Sequence, residues 1–84
     1  MLGGWNAGSE LSQEQYELVV SLKNEVEGIT NAAYENFQPL KIKQQVVAGI
    51  NYNVKVQTAE GEYIHVKIFK PLPHTGQPAK VTDV

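Results

Sequence analysis

A chain of 84 residues has room for one domain and a small core. It holds no cysteine, so no disulfide reinforces that core, and the composition favours a reducing, cytoplasmic setting. Lys and Arg number 7 against 9 Asp and Glu, a net charge of −2 that speaks against a nucleic-acid partner; Lys41, Lys43, Lys55, Lys67 and Lys70 stand singly at alternating positions and read as a solvated polar face.

Residues 1–10 are glycine-rich, carry no periodic pattern and read as a flexible N-terminal arm ahead of a single domain over 11–84. Met1-Leu2-Gly3-Gly4-Trp5 has neither the basic start nor the apolar run of a signal peptide, and no apolar run reaches bilayer-spanning length. No membrane partner is expected. From Ser12 onward the pattern is helical. Leu11, Leu18, Leu22, Val26, Ile29 and Ala33 form one apolar stripe, which predicts a single long helix. Ser12 followed by Gln15 suggests a capping box, and Glu14 and Glu17 suit the positive helix start. Gly28 costs about 1 kcal/mol relative to Ala and places any bend in the last turns. Asn36 and Pro39 mark the stop.

After Pro39 the period becomes two. Ile50, Tyr52, Val54 and Val56 share one face, and Ile64, Val66 and Ile68 repeat the pattern, with Ala59-Glu60-Gly61-Glu62 as the turn between them. One-sided alternation indicates an antiparallel sheet with one wet face, and the helical stripe is what covers its dry face. The fold class is α+β. Lys70-Pro71-Leu72-Pro73-His74-Thr75-Gly76-Gln77-Pro78 reads as a loop, and residues 79–84 resume alternation as a final strand. In such a meander the tips at 45–49 and 70–77 lie at one end.

Gln45-Val46-Val47-Ala48-Gly49 sits between two strand-like runs and therefore reads as a hairpin tip, yet three of its residues are apolar. Turns normally hold Gly, Asn, Asp or Ser, which tolerate positive φ or bond their own backbone. An apolar tip is built to enter a cleft in another molecule. Val46 fits either a contact or an inward strand position; Val47 and Ala48 are the better contacts. Leu72 and Pro73 fit either a contact or packing beneath their loop.

Reactive chemistry is scarce. There is no Cys nucleophile, and His65 and His74 lack the partners a zinc site needs. Glu60 and Glu62 flank a turn glycine and read as solvated, and Gly3-Gly4 is not a phosphate loop. The chain is not expected to be an enzyme or to carry a cofactor or metal.

The pentapeptide 45–49 resembles the hallmark of the cystatin superfamily, inhibitors of papain-like cysteine proteases. Thr30-Asn31, Tyr34, Lys43, Asn51-Tyr52, Lys55-Val56, Tyr63, His65, Lys67, Phe69-Lys70 and Leu72-Pro73 extend the similarity, at stefin-like spacing, over residues 10–82. The resemblance implies one long helix packed across an antiparallel sheet of four or five strands. It also implies reversible, competitive blockade of a cathepsin-type cleft by three elements. The first is an inhibitory arm of Met1, Leu2, Gly3 and Gly4, with Gly3 the better match to the family's arm glycine and Leu2 in an S2-type pocket. The second is Gln45, Val46, Val47, Ala48 and Gly49, and the third is Leu72, Pro73 and His74. The active form would be a monomer. The alternatives are a cystatin-fold binding or structural protein without inhibition, and a strand-exchanged dimer in which the first loop is lost. Two departures stand out: the segment ahead of the glycine pair is one residue shorter than common, and stefins continue past the position of Val84.

Overall fold

A computed structural model describes residues 8–84. Two short helices, α1 (Gln13–Ser21) and α2 (Lys23–Thr30), precede four strands, β1 (Gln38–Val47), β2 (Gly49–Ala59), β3 (Glu62–Lys70) and β4 (Lys80–Asp83). The strands form one antiparallel meander in the order β1-β2-β3-β4. The α+β class stands. Among the described residues no helix is long and apolar enough to cross a membrane.

The expected single long helix is corrected to two. The capping box forms as read: the Gln15 N–H donates to Ser12 Oγ (3.2 Å), and the Ser12 N–H donates to Gln15 Oε1 (2.9 Å). The break falls at Leu22 (φ −95°, ψ 5°), not near Gly28, which lies inside α2. Two β-branched residues, Val19 and Val20, precede it, and the Ser21 hydroxyl donates to the Leu18 carbonyl at 2.6 Å. That bond competes for a carbonyl of the helical ladder. Leu22 N–H then reaches only three residues back, to Val19 O at 3.1 Å, before Val26 N–H returns to Leu22 O at 3.1 Å. One tight turn separates the helices.

The helical run also stops earlier than Asn36 and Pro39 suggest. Asn31 adopts the left-handed conformation (φ 58°) as a C-cap. Beyond it Glu27 Oε2 accepts the Tyr34 N–H at 2.8 Å, and the Tyr34 hydroxyl donates to Thr30 Oγ1 at 3.0 Å. These side chains anchor the chain as it leaves the helix. Ala33 therefore falls outside it, and Ile29 is 52% exposed.

Val19 and Val26 lie over Ile42, Tyr52, Val54, Val56, Val66, Ile68 and Val81 of the sheet. The period-two reading holds in the register. Ile42, Val54 and Val66 form one inward row, and Tyr52, Ile68 and Val81 another. Between β2 and β3 only Glu60 and Gly61 remain as the turn, with Gly61 at φ +74°.

Candidate functional site

The hairpin tip is tighter than a five-residue loop. Gln45, Val46 and Val47 belong to β1 and pair with Asn51, Ile50 and Gly49, so Ala48 alone forms the apex. Gln45 and Asn51 also meet through their side chains, the Asn51 amide donating to Gln45 Oε1 at 3.4 Å. Val46 has the inward parity of Ile42, but it is not buried. It is 47% exposed, and Val47 is 43% exposed. Val46 thus combines a strand position with an exposed side chain.

Gly49 is where backbone geometry decides the residue. Its φ is +131°, and a Cβ there would stand 2.7 Å from the Lys70 carbonyl oxygen and 2.9 Å from Cζ of Phe69. Only glycine fits both the dihedral and the approach of β3. The Phe69 ring and the Lys70 carbonyl thus back the tip from behind. A glycine at this end of the tip already suggests a conformation that a Cβ would forbid; what sequence reasoning missed is the backing by Phe69, the strand partner of Asn51, and by Lys70, the partner of Ile50.

The second loop lies beside this tip because β2 and β3 are paired from Ile50↔Lys70 onward. Leu72 follows β3 and is 39% exposed. Pro73 and His74 begin a 3₁₀ turn over Pro73–Thr75. The Leu72 carbonyl accepts both the Thr75 N–H (3.0 Å) and the Thr75 hydroxyl (2.8 Å), and Gly76 reverses the chain at φ +68°. These local bonds hold the loop's shape. His74 is exposed.

Met1, Leu2, Gly3 and Gly4 lie outside the described residues, as does Trp5. The first described contact beyond them is informative. Ser9 exchanges both backbone hydrogen bonds with Ile42, at 3.0 and 2.8 Å, in an antiparallel bridge. Gly8 lies against the Lys43 side chain, so the step from Ser9 back to Gly8 runs along β1 toward the tip. The sequence-predicted residues of the two loops are therefore brought together at one end.

Behind this edge, α1 crosses Tyr52. Burial first, and the Glu14 carboxylate second, push the Tyr52 hydroxyl above the usual phenol range. Between residues 44 and 50 the tip has no charged side chain, and among the described residues no three His, Cys, Asp or Glu gather as a metal site would require. What the edge offers is shape and apolar surface.

The match to known proteins is extensive. A cystatin domain profile covers residues 7–82. The chain is 44% identical over 71 residues to cystatin-A of Bos taurus, spanning 84% of this chain and 72% of that protein. It is 33% identical over 82 residues to stefin-C of Bos taurus, spanning 98% and 81%. It is 35% identical over 81 residues to leukocyte cysteine proteinase inhibitor 1 of Sus scrofa, spanning 96% and 79%. The chain belongs to the cystatin family, in its stefin branch.

Proposed function

We propose that this protein is a reversible, competitive inhibitor of papain-like cysteine proteases of the cathepsin type, acting in the cytoplasm as a monomer. The name of the porcine relative, leukocyte cysteine proteinase inhibitor 1, supports the target class. The observation that carries the reading is the grouping of exposed Val46, Val47 and Leu72 on two neighbouring loops, with no charge at the hairpin tip. Exposed apolar side chains gathered at one edge mark an interaction surface. At about 25 cal/mol per Å² removed from water, covering them supplies several kcal/mol before the costs of association.

Inhibition on this reading asks no bond-making or proton transfer of the chain. The tip and the Leu72-Pro73-His74 loop enter one side of the cleft, and Met1 to Gly4 enter the other, with Leu2 in an apolar subsite. The protease's cysteine is covered without a scissile peptide across it. Pairing on both sides of Ala48 and the internal bonds of the second loop preorganise the edge, which lowers the ordering cost of binding. Titration of papain with the protein, confirmed monomeric by size-exclusion chromatography, tests the reading. Stoichiometric, substrate-competitive loss of activity is expected. An unaffected enzyme at micromolar inhibitor refutes it.

A further inference from the structure

The wet face of the sheet gathers charge that the linear sequence disperses. Lys41 of β1 stands directly opposite Lys55 of β2, which stands opposite His65 of β3. In the next row Lys43 faces Asn53, which faces Lys67. Four of the 7 lysines of an acidic chain thus occupy two adjacent rows. Like charges directly across a strand pair are destabilising, so the arrangement has a cost in the free protein.

Little on the protein offsets that cost. Among the described residues the one ion pair within 4.0 Å is Lys23–Glu27, on the helices. Lys55 lies over the Tyr63 ring at 4.5 Å, a contact that orients the cation without neutralising it. Two acidic residues stand at the margins of the face: Asp83 is the strand partner of Lys67, and Glu10 follows the bridged Ser9. Neither comes within ion-pairing distance of a lysine.

The cluster also encloses space. Gly8, Lys41, Lys43, Asn53, Lys55 and His65 line a half-open hollow of about 340 Å³. Asn53 is one of the lining residues, and its Oδ1 is buried with no hydrogen-bond partner. A buried acceptor without a donor is costly, and here the nearest source of one is the set of lysine ammonium groups around the hollow. An anion in the hollow would draw the flanking ammonium groups inward, giving that oxygen a donor while leaving the amide NH2 to bond the anion. All the cations are lysines, with no arginine in the chain. Convergent point charges, without a planar fork, suit phosphate oxygens better than the bidentate geometry a carboxylate favours.

We propose that this hollow is a binding site for a compact ligand bearing clustered phosphate groups, either free in solution or displayed as a lipid headgroup. The site lies on the sheet face, away from the apolar edge, so it stands independently of protease inhibition.

The test is an amide-resolved NMR titration of the full chain with inorganic pyrophosphate, and in parallel with vesicles of phosphatidylcholine carrying a phosphatidylinositol bisphosphate. Shifts confined to the Lys41, Lys43, Asn53, Lys55 and His65 region by pyrophosphate support a free ligand; binding to the doped vesicles alone supports the headgroup. The double variant Lys41→Gln/Lys55→Gln should weaken either interaction on the order of tenfold or more. Lys23→Gln/Lys80→Gln removes the same charge elsewhere and should change little. Equal losses in both double variants, no shifts on this face with either probe, or binding to a single-stranded oligonucleotide alone would each overturn the proposal. Since Lys41 and Lys55 face each other, the first double variant should unfold no more readily than the wild type, so a loss of binding is not a loss of fold.

Discussion

At Gly49 a positive φ coincides with a close approach of the Lys70 carbonyl, whereas Val47, two residues away in the chain, has an exposed side chain and no positive φ. Substitution should therefore affect stability at the first position and not at the second. Gly49→Ala forces a side chain into the Lys70 carbonyl and a disfavoured dihedral, which should cost about 1–3 kcal/mol of stability and displace the tip. Denaturant unfolding and the inhibition constant should worsen together. Val47→Asp places a charge on an exposed side chain, so stability should stay within about 0.5 kcal/mol of wild type. Its inhibition constant should rise by about tenfold or more, because the charge must be desolvated in the protease cleft. An unchanged constant would remove Val47 from the contact surface. The apolar character of the tip and the need for a glycine at its end were legible in the chain; what crowds that glycine was not, because Phe69 and Lys70 lie about twenty residues downstream and meet it only through strand pairing.

Among the elements, the N-terminus of α1 was readable and the helix break was not. A capping box is a local device whose partners lie three residues apart, so Ser12 and Gln15 announce it. Ser12→Ala should lower stability by about 1 kcal/mol, seen as a reduced urea midpoint with an unchanged slope. The interruption at Leu22 involves neither Gly nor Pro. It arises from a serine hydroxyl bonding back to Leu18 while Val19 and Val26 are both held on the sheet. That balance of local competition and tertiary packing leaves no sequence marker. The strands were legible because period-two alternation follows directly from a sheet with one buried face, although β1 and β2 run further into the pentapeptide than alternation alone suggested. The arm makes its own prediction: deleting residues 1–4 leaves the Ser9 bridge intact, so the fold should persist while the complex with papain dissociates faster. An unchanged dissociation rate would show that those residues do not enter the cleft.

Across the whole molecule, helix and sheet meet at Tyr52, and that contact makes stability depend on alkaline pH. The folded protein favours the neutral phenol, through burial first and Glu14 second. The folded-state value is raised, so this stabilisation is complete below the unfolded value of about 10 and is lost as pH climbs from there through the folded one. Urea midpoints measured from neutral pH upward should fall in that window. Tyr52→Phe should flatten the fall, and an identical alkaline slope in the variant would assign it to other groups.

Some properties of this protein follow from its sequence alone, since they depend on neighbours or on period: the α+β class, the capped helix start, the dry and wet faces of the strands, and the cystatin pentapeptide. Others exist only once strands pair. The meander sets Leu72 beside the hairpin tip, brings β3 against Gly49, and stacks lysines that are two or more residues apart in the chain into one cationic face around Asn53. Alternation told which side of the sheet each lysine would take, but a linear sequence carries no register. Cross-strand distance, and with it the choice between a diffuse polar face and a charged hollow, is decided by hydrogen bonds between residues far apart in the chain.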